Sequence, residues 1–175
     1  LTEFHDLQCH HCADLHEALG FLRQRLGSDS FALESRHFPL DVSCNPRMQG
    51  PSSSPVRCTA AKLLICSEQQ PWVVELTGKI FAAKERLDES LLYELAAPWV
   101  SRATLEACVD SAATEAHLED DLDWATAQGI EGTPLVLVNG RKASAWPVFL
   151  MTVVLTRGRT DHPLLAHLPP PRLHG

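Results

Sequence analysis

Long apolar runs are missing from this 175-residue chain. The longest apolar-rich stretch, residues 149–155, falls far short of the roughly 18 residues that a membrane-spanning helix needs. Positive charge is also scarce. There are 15 Lys and Arg against 22 Asp and Glu, a net charge of −7 with no basic block, which argues against nucleic acid or an anionic membrane surface as partner. No internal repeat is present. A hydrophobic share of 45% with 21% charged residues is globular rather than disordered composition. A chain of this length buries roughly two-thirds of its unfolded surface, enough for one domain whose core needs no cysteine staples. Its six cysteines therefore need another reason.

The pattern of elements predicts strand over about 1–6, helix from about 10 to 26 stopped by Gly27, and strand from Phe31 to Phe38. Residues 45–55 are rich in Pro, Ser and Gly and read as loop. Ser54-Pro55 predicts an N-cap and first turn for a helix running to Gln69, with Val56, Ala60, Leu63 and Leu64 inward. Further helices are predicted over 71–84, 89–97, 102–111 and 114–128, the last stopping at Gly129. Strand returns at Leu135–Val138, Asn139-Gly140 predicts a type I′ hairpin into Arg141–Ala143, and Pro147–Thr156 predicts a closing helix. The order β-α-β, helices, β-β-α describes one α/β domain over 1–157 with a helical insertion over about 55–128. Residues 158–175, with four prolines, read as an extended tail. Leu1–His5 reads as strand without Met or lead-in, which implies a longer natural polypeptide.

Cys9-His10-His11-Cys12 falls where a strand ends and a helix begins. A cysteine at a helix N-terminus meets free N–H groups and the positive end of the dipole, both of which favour its thiolate. A second cysteine one turn along can displace a mixed disulfide formed on the first. An imidazole beside the sulfur favours the thiolate further, which makes the disulfide a stronger oxidant. Two other readings stand beside this one. Cys9 and Cys12 with a histidine from His5, His10, His11 or His16 could bind metal, although zinc wants four ligands; the pair could also be a disulfide in a non-catalytic interaction domain.

Gly129-Ile130-Glu131-Gly132-Thr133-Pro134 precedes the strand and hairpin. Proline is tolerated at a strand's first position because no ladder donor is lost there. Taken with the upstream strand–CxxC–helix, however, the loop matches the thioredoxin-fold arrangement, in which this proline is cis and faces the cysteine pair. Glu3-Phe4, the CHHC motif, the helical insertion and Gly132-Thr133-Pro134 together resemble the DsbA family of thiol–disulfide oxidoreductases over residues 1–157. The run His37-Phe38-Pro39-Leu40-Asp41, Cys44-Asn45-Pro46, Cys58-Thr59-Ala60-Ala61 and Cys66 is similar to a narrower branch, the DsbA-like domains fused to vitamin K epoxide reductase-type membrane domains.

The resemblance implies a thioredoxin fold with a helical insertion between its βαβ and ββα halves. It makes Cys9 the nucleophile, Cys12 the buried resolving cysteine and His11 the histidine that strengthens oxidising power. Glu3 matches the family's acid beneath the site, either a proton shuttle for Cys12 or a paired strand residue. Thr133 and Pro134 match the loop whose backbone accepts an extended substrate by strand pairing. His10 stands where well-known members have proline, and the strand that many members carry before the first one here is absent. The resemblance further implies a monomeric, periplasmic or otherwise extracytoplasmic oxidase that needs no cofactor beyond its cysteine pair. It would act on reduced or unfolded proteins and be reoxidised by a membrane partner, of vitamin K epoxide reductase type if the narrower likeness holds.

Four cysteines remain. If 55–69 is helical, a rise of about 12 Å separates Cys58 from Cys66, past the disulfide limit. Cys44–Cys58 with Cys66–Cys108, or Cys44–Cys66 with Cys58–Cys108, remain open. The first is preferred because Cys44 and Cys58 bracket a loop that little else tethers; Cys66 and Cys108 could equally be buried thiols. A Cys44–Cys58 bond calls for an oxidising compartment. The acids Glu115, Glu119, Asp120, Asp121 and Asp123 read as a solvated helix face.

Overall fold

The computed structural model describes residues 1–159 and 161–163; most of the tail expected over 158–175 lies outside the described residues. Four short strands, β1 (Thr2–His5), β2 (Glu34–His37), β3 (Leu135–Val138) and β4 (Arg141–Ala143), form one sheet in the order β2-β1-β3-β4. β1 runs parallel to β2 and antiparallel to β3, and β3 turns back into β4. Helix α1 (His10–Leu26) links β1 to β2, and α7 (Pro147–Thr156) closes the chain. Between β2 and β3 stand α2 (Val56–Ile65), α3 (Val73–Ala82), α4 (Glu89–Ala96), α5 (Arg102–Val109) and α6 (Ala112–Ala127).

Local chemistry sets most of the boundaries. Gly27, at φ 93°, stops α1 in a conformation that side chains rarely adopt. Asp88, Ser101 and Ser111 cap α4, α5 and α6 by accepting the amides of Leu91, Thr104 and Thr114. Asn139 and Gly140 both take positive φ, as a type I′ turn requires. α2 departs from expectation at both ends. Ser54 does not cap it: its hydroxyl donates to Gln8 Oε1 and its amide to Asp41. Nor does α2 reach Gln69. The Ser67 hydroxyl donates to the Leu63 carbonyl, the Ser67 amide turns back to Leu64, and the helix ends at Ile65. β2 is shorter than Phe31–Phe38 because Ser28–Ser30 form a 3-10 turn and only Glu34–His37 lie beside β1.

The sheet has two unlike faces. Phe4, Leu135 and Leu137 pack on Leu118, Leu122 and Ala125 of α6. On the other face Val136 meets Leu15, Leu19 and Leu22 of α1 and Leu150 of α7. A third cluster, with Leu63, Leu76, Ile80 and Leu92 fully buried, lies mostly within the helical insertion and extends to Leu7 and Cys12. Disulfides join Cys44 to Cys58 and Cys66 to Cys108, the pairing preferred from the sequence. The acidic stretch on α6 is not a plain solvated face. Asp121 is fully buried and accepts from Arg36 and from the His37 amide, while Glu115 pairs with Lys62, and Glu119 and Asp123 with Arg47. Asp121 falls on the same helix side as Leu118, Leu122 and Ala125, so the spacing that buries them carries it inward too.

Candidate active site

Asp6 and Gln8, in the corner between β1 and α1, set the position of the cysteines. The buried Asp6 carboxylate accepts from the amides of Gln8 and Leu40 and pairs with Arg57. The Gln8 side chain bridges the Lys84 carbonyl and the Ser54 hydroxyl. Strand, insertion and β2 loop therefore converge on the turn that delivers Cys9. The loop itself is organised by Asp41, whose carboxylate accepts from the amides of Ser43, Ser53 and Ser54 and the hydroxyls of Ser43 and Ser52. Burial alone would raise the Asp41 pKa, but these donors hold it well below the usual carboxylate range.

Cys9 is the N-cap of α1, and its sulfur accepts the Cys12 amide at 3.2 Å. A cysteine here does what Ser or Asp does at other helix starts, with a sulfur that can carry the negative charge. From the far end of the chain Thr133 brings its carbonyl to 3.5 Å from the same sulfur, and the Thr133–Pro134 peptide is cis. Both cysteines are free thiols, Cys9 half-buried and Cys12 buried. Their acidities diverge. A hydrogen bond from the Cys12 thiol, opposed by burial and aided by Thr133 and the Cys12 amide, pulls Cys9 down to about 6. Burial, then the bond given to Cys9, pushes Cys12 far up. One sulfur is therefore a thiolate at neutral pH and its neighbour a protonated thiol.

The two histidines of the motif lie at the surface. His10 Nε2 is 3.1 Å from Glu85, and His11 Nδ1 is 4.0 Å from Asp14, with side chains 69% and 85% exposed. The hydrogen bonds on the Cys9 sulfur come from the backbone and from Cys12. Glu3 is buried on β1, accepts from Ser35 and lies 3.7 Å from His5 Nδ1. Burial opposes its ionisation, but the nearby His5 imidazole and the Ser35 hydroxyl bring its pKa below the ordinary value. Among the described residues, no group of three or more His, Cys, Asp or Glu is arranged to hold a metal ion, so Cys9, Cys12 and the nearby histidines do not converge on one.

The thioredoxin family profile matches residues 1–148. The chain belongs to the thioredoxin family. Among solved structures, this family member resembles α-DsbA1 of Wolbachia pipientis, at 19% identity and a TM-score of 0.68, over 87% of this chain and 82% of that one. It also resembles the DsbA disulfide interchange protein of Klebsiella pneumoniae, at 12% identity and a TM-score of 0.63, over 90% and 85% of the two chains. A Na(+)/H(+) antiporter, NhaA 1 of Mycolicibacterium gilvum, is 24% identical over 163 residues, which cover 91% of this chain and 25% of the antiporter. The chain thus spans a quarter of the length of that relative.

Asp6, Gln8 and Asp41 were not singled out from the sequence as site-forming residues. Asp6 had a usable signal: an acid three residues before the first cysteine, placed to accept amides at the strand end.

Proposed function

We propose that this thioredoxin-family domain is a thiol–disulfide oxidoreductase that donates its Cys9–Cys12 disulfide to reduced or unfolded proteins outside the cytoplasm. A substrate thiolate attacks the Cys9 sulfur, the Cys9–Cys12 bond breaks, and Cys12 leaves with the electron pair and takes up one proton. The substrate's second thiol, losing its proton, then attacks the substrate sulfur of the mixed disulfide. The substrate disulfide forms and Cys9 departs as thiolate. Two electrons have moved from the substrate dithiol to the protein pair.

The single observation that carries this reading is the divergence of the two thiols. Cys9 is a good leaving group, stabilised by the Cys12 amide and thiol, whereas Cys12 is shielded and protonated. In this reading Glu3 exchanges the Cys12 proton, and the Thr133–Pro134 backbone receives an extended substrate segment. His10 and His11 act on the potential through charge from the exposed side of the helix start. The disulfides Cys44–Cys58 and Cys66–Cys108 suit an oxidising compartment. A membrane partner would restore the Cys9–Cys12 bond by accepting both electrons. The sequence likeness to domains fused to vitamin K epoxide reductase-type proteins names one such partner, and the match to an antiporter adds a second membrane context to examine.

The test is Cys9→Ser, assayed for oxidation of a reduced dithiol peptide. The variant should be inactive, and retained dithiol oxidation would sink the proposal. The potential of the wild-type pair then decides direction: about −120 mV supports an oxidase, about −270 mV a reductase.

A further inference from the structure

The α1-facing side of β1 and β2 is polar where a core is normally apolar. Parallel register sets Glu3 beside Ser35 and His5 beside His37. All four project to the face opposite Phe4. His5 and His37 are 3% and 2% exposed, and none of their four ring nitrogens has a hydrogen-bond partner. Unpaired buried polar groups destabilise a fold, so apolar side chains would serve stability better at these positions. A cavity of about 400 Å³ opens against them, lined also by His16, Ser35, Glu68 and Thr77. Its wall carries these polar groups, and it is roomy enough for bridging water.

The titratable groups also follow one another from β1 toward the surface. Glu3 Oε1 lies 3.7 Å from His5 Nδ1, and the His5 and His37 rings meet edge to face with centroids 5.0 Å apart. His37 Nε2 is 3.4 Å from Glu68 Oε1, which is 3.6 Å from Nε2 of the part-exposed His117. The carboxylate–imidazole gaps are slightly long for hydrogen bonds, and a small side-chain movement closes each one. The other charged or titratable groups facing the line are His16 and Arg23 from α1, Glu34 from β2 and Asp121 from α6.

We propose that His117, Glu68, His37 and His5 form a proton relay between the surface and Glu3. The relay rests on the proposed function, in which Glu3 exchanges the Cys12 proton. Each time the Cys9–Cys12 bond is opened, Cys12 takes one proton; the relay brings that proton in from solvent and carries it out again on reoxidation. No electrons pass along it. His5 and His37 are positioning residues whose unpaired nitrogens are the exchange points.

The experiment uses the full oxidised chain, mixed rapidly with a reduced dithiol peptide in light and heavy water. Glu68→Gln interrupts the line with an isostere near the surface, and His37→Phe interrupts it in the interior. Both should slow the reaction about tenfold, a modest share of what positioned proton transfer contributes. Both should also enlarge the solvent isotope effect while leaving the Cys9–Cys12 potential unchanged. Wild-type rates in Glu68→Gln overturn the relay even if His37→Phe does not fold. Slower reaction with an unchanged isotope effect assigns these residues a packing role and overturns it as well. If Glu3→Gln is slow while both relay variants behave as wild type, the relay is wrong and the oxidoreductase reading survives. If the wild type itself does not oxidise the peptide, that reading has failed first.

Discussion

The fold holds cysteines in two contrasting settings. Cys44–Cys58 and Cys66–Cys108 are bonded, the first closing a Pro/Ser-rich loop and the second joining the end of α2 to α5. Cys9 and Cys12 are a single helical turn apart and free. The difference comes from what surrounds the sulfur. Cys9 accepts from the Cys12 thiol and amide, which favour its thiolate, and in its thiol form it can donate to the Thr133 carbonyl. Cys66 and Cys108 instead both lie beside the Thr114 hydroxyl, a neutral neighbour. Sequence spacing alone does not separate these roles; the helix start and the Thr133 loop do.

The largest effect should come from removing one member of the free pair. Cys12→Ala cannot form the Cys9–Cys12 bond and is expected to end turnover. Offered an oxidised peptide, its Cys9 thiolate should attack one sulfur, release the other as a thiol and keep a lasting mixed disulfide, visible by mass spectrometry. The Cys9 titration should also climb from about 6 toward the ordinary thiol value, because the strongest donor to its sulfur is gone. An unmoved titration would mean that the helix start alone sets the acidity.

Replacing both members of a bonded pair should change stability and leave the Cys9 titration alone. In the chain-entropy model, loss of Cys66–Cys108 costs about 4 kcal/mol and loss of Cys44–Cys58 about 3 kcal/mol. Denaturant unfolding of the two double-alanine variants checks both the sizes and their order.

A smaller effect is expected from pH. The folded-state pKa of Cys9 is depressed, so its stabilisation of the reduced protein is full above the unfolded thiol value of about 8.5. It is lost as pH falls through about 6. The stability gap between oxidised and reduced protein should therefore shift in favour of the oxidised form across that window. Half-burial of Cys9 exposes the charge to solvent screening and limits the size. Unfolding curves of both redox forms, at several pH values, would reveal a gap that does not move.

Least of all should His10→Ala affect stability. Its pair with Glu85 is solvent-exposed, and such pairs contribute no more than about 1 kcal/mol. Any larger consequence should appear in the potential, measured against glutathione, rather than in unfolding.

Much of this was legible in the sequence because its signals are local. The CHHC junction, the Asn139-Gly140 turn and the Pro147 start of α7 each specify their geometry within a few residues, and β3, β4 and α7 lie where those signals put them. Gly132-Thr133-Pro134 was readable only in combination with the CHHC junction, since a proline at a strand start is tolerated on its own. What escaped depends on partners distant in sequence. Ser54 looks like a cap until Asp41 and Gln8 compete for its donors. Asp121 looks solvated until Arg36 and the His37 amide, both more than 80 positions away, receive it. The polar line through His5 and His37 emerges only when parallel register sets β1 beside β2.

The contact between Cys9 and Thr133 spans 124 positions of chain. At common synthesis rates of 5–20 residues per second, that interval corresponds to roughly 6–25 seconds between the making of the two residues. During that time the first cysteine exists without the carbonyl that later flanks its sulfur, and without the insertion that shelters its neighbour. A nascent chain therefore carries only the local half of the site, and the long-range half is a product of completed folding. The order of residues along the chain works as a delay: the Cys9 surroundings are complete only after the four remaining cysteines have been made.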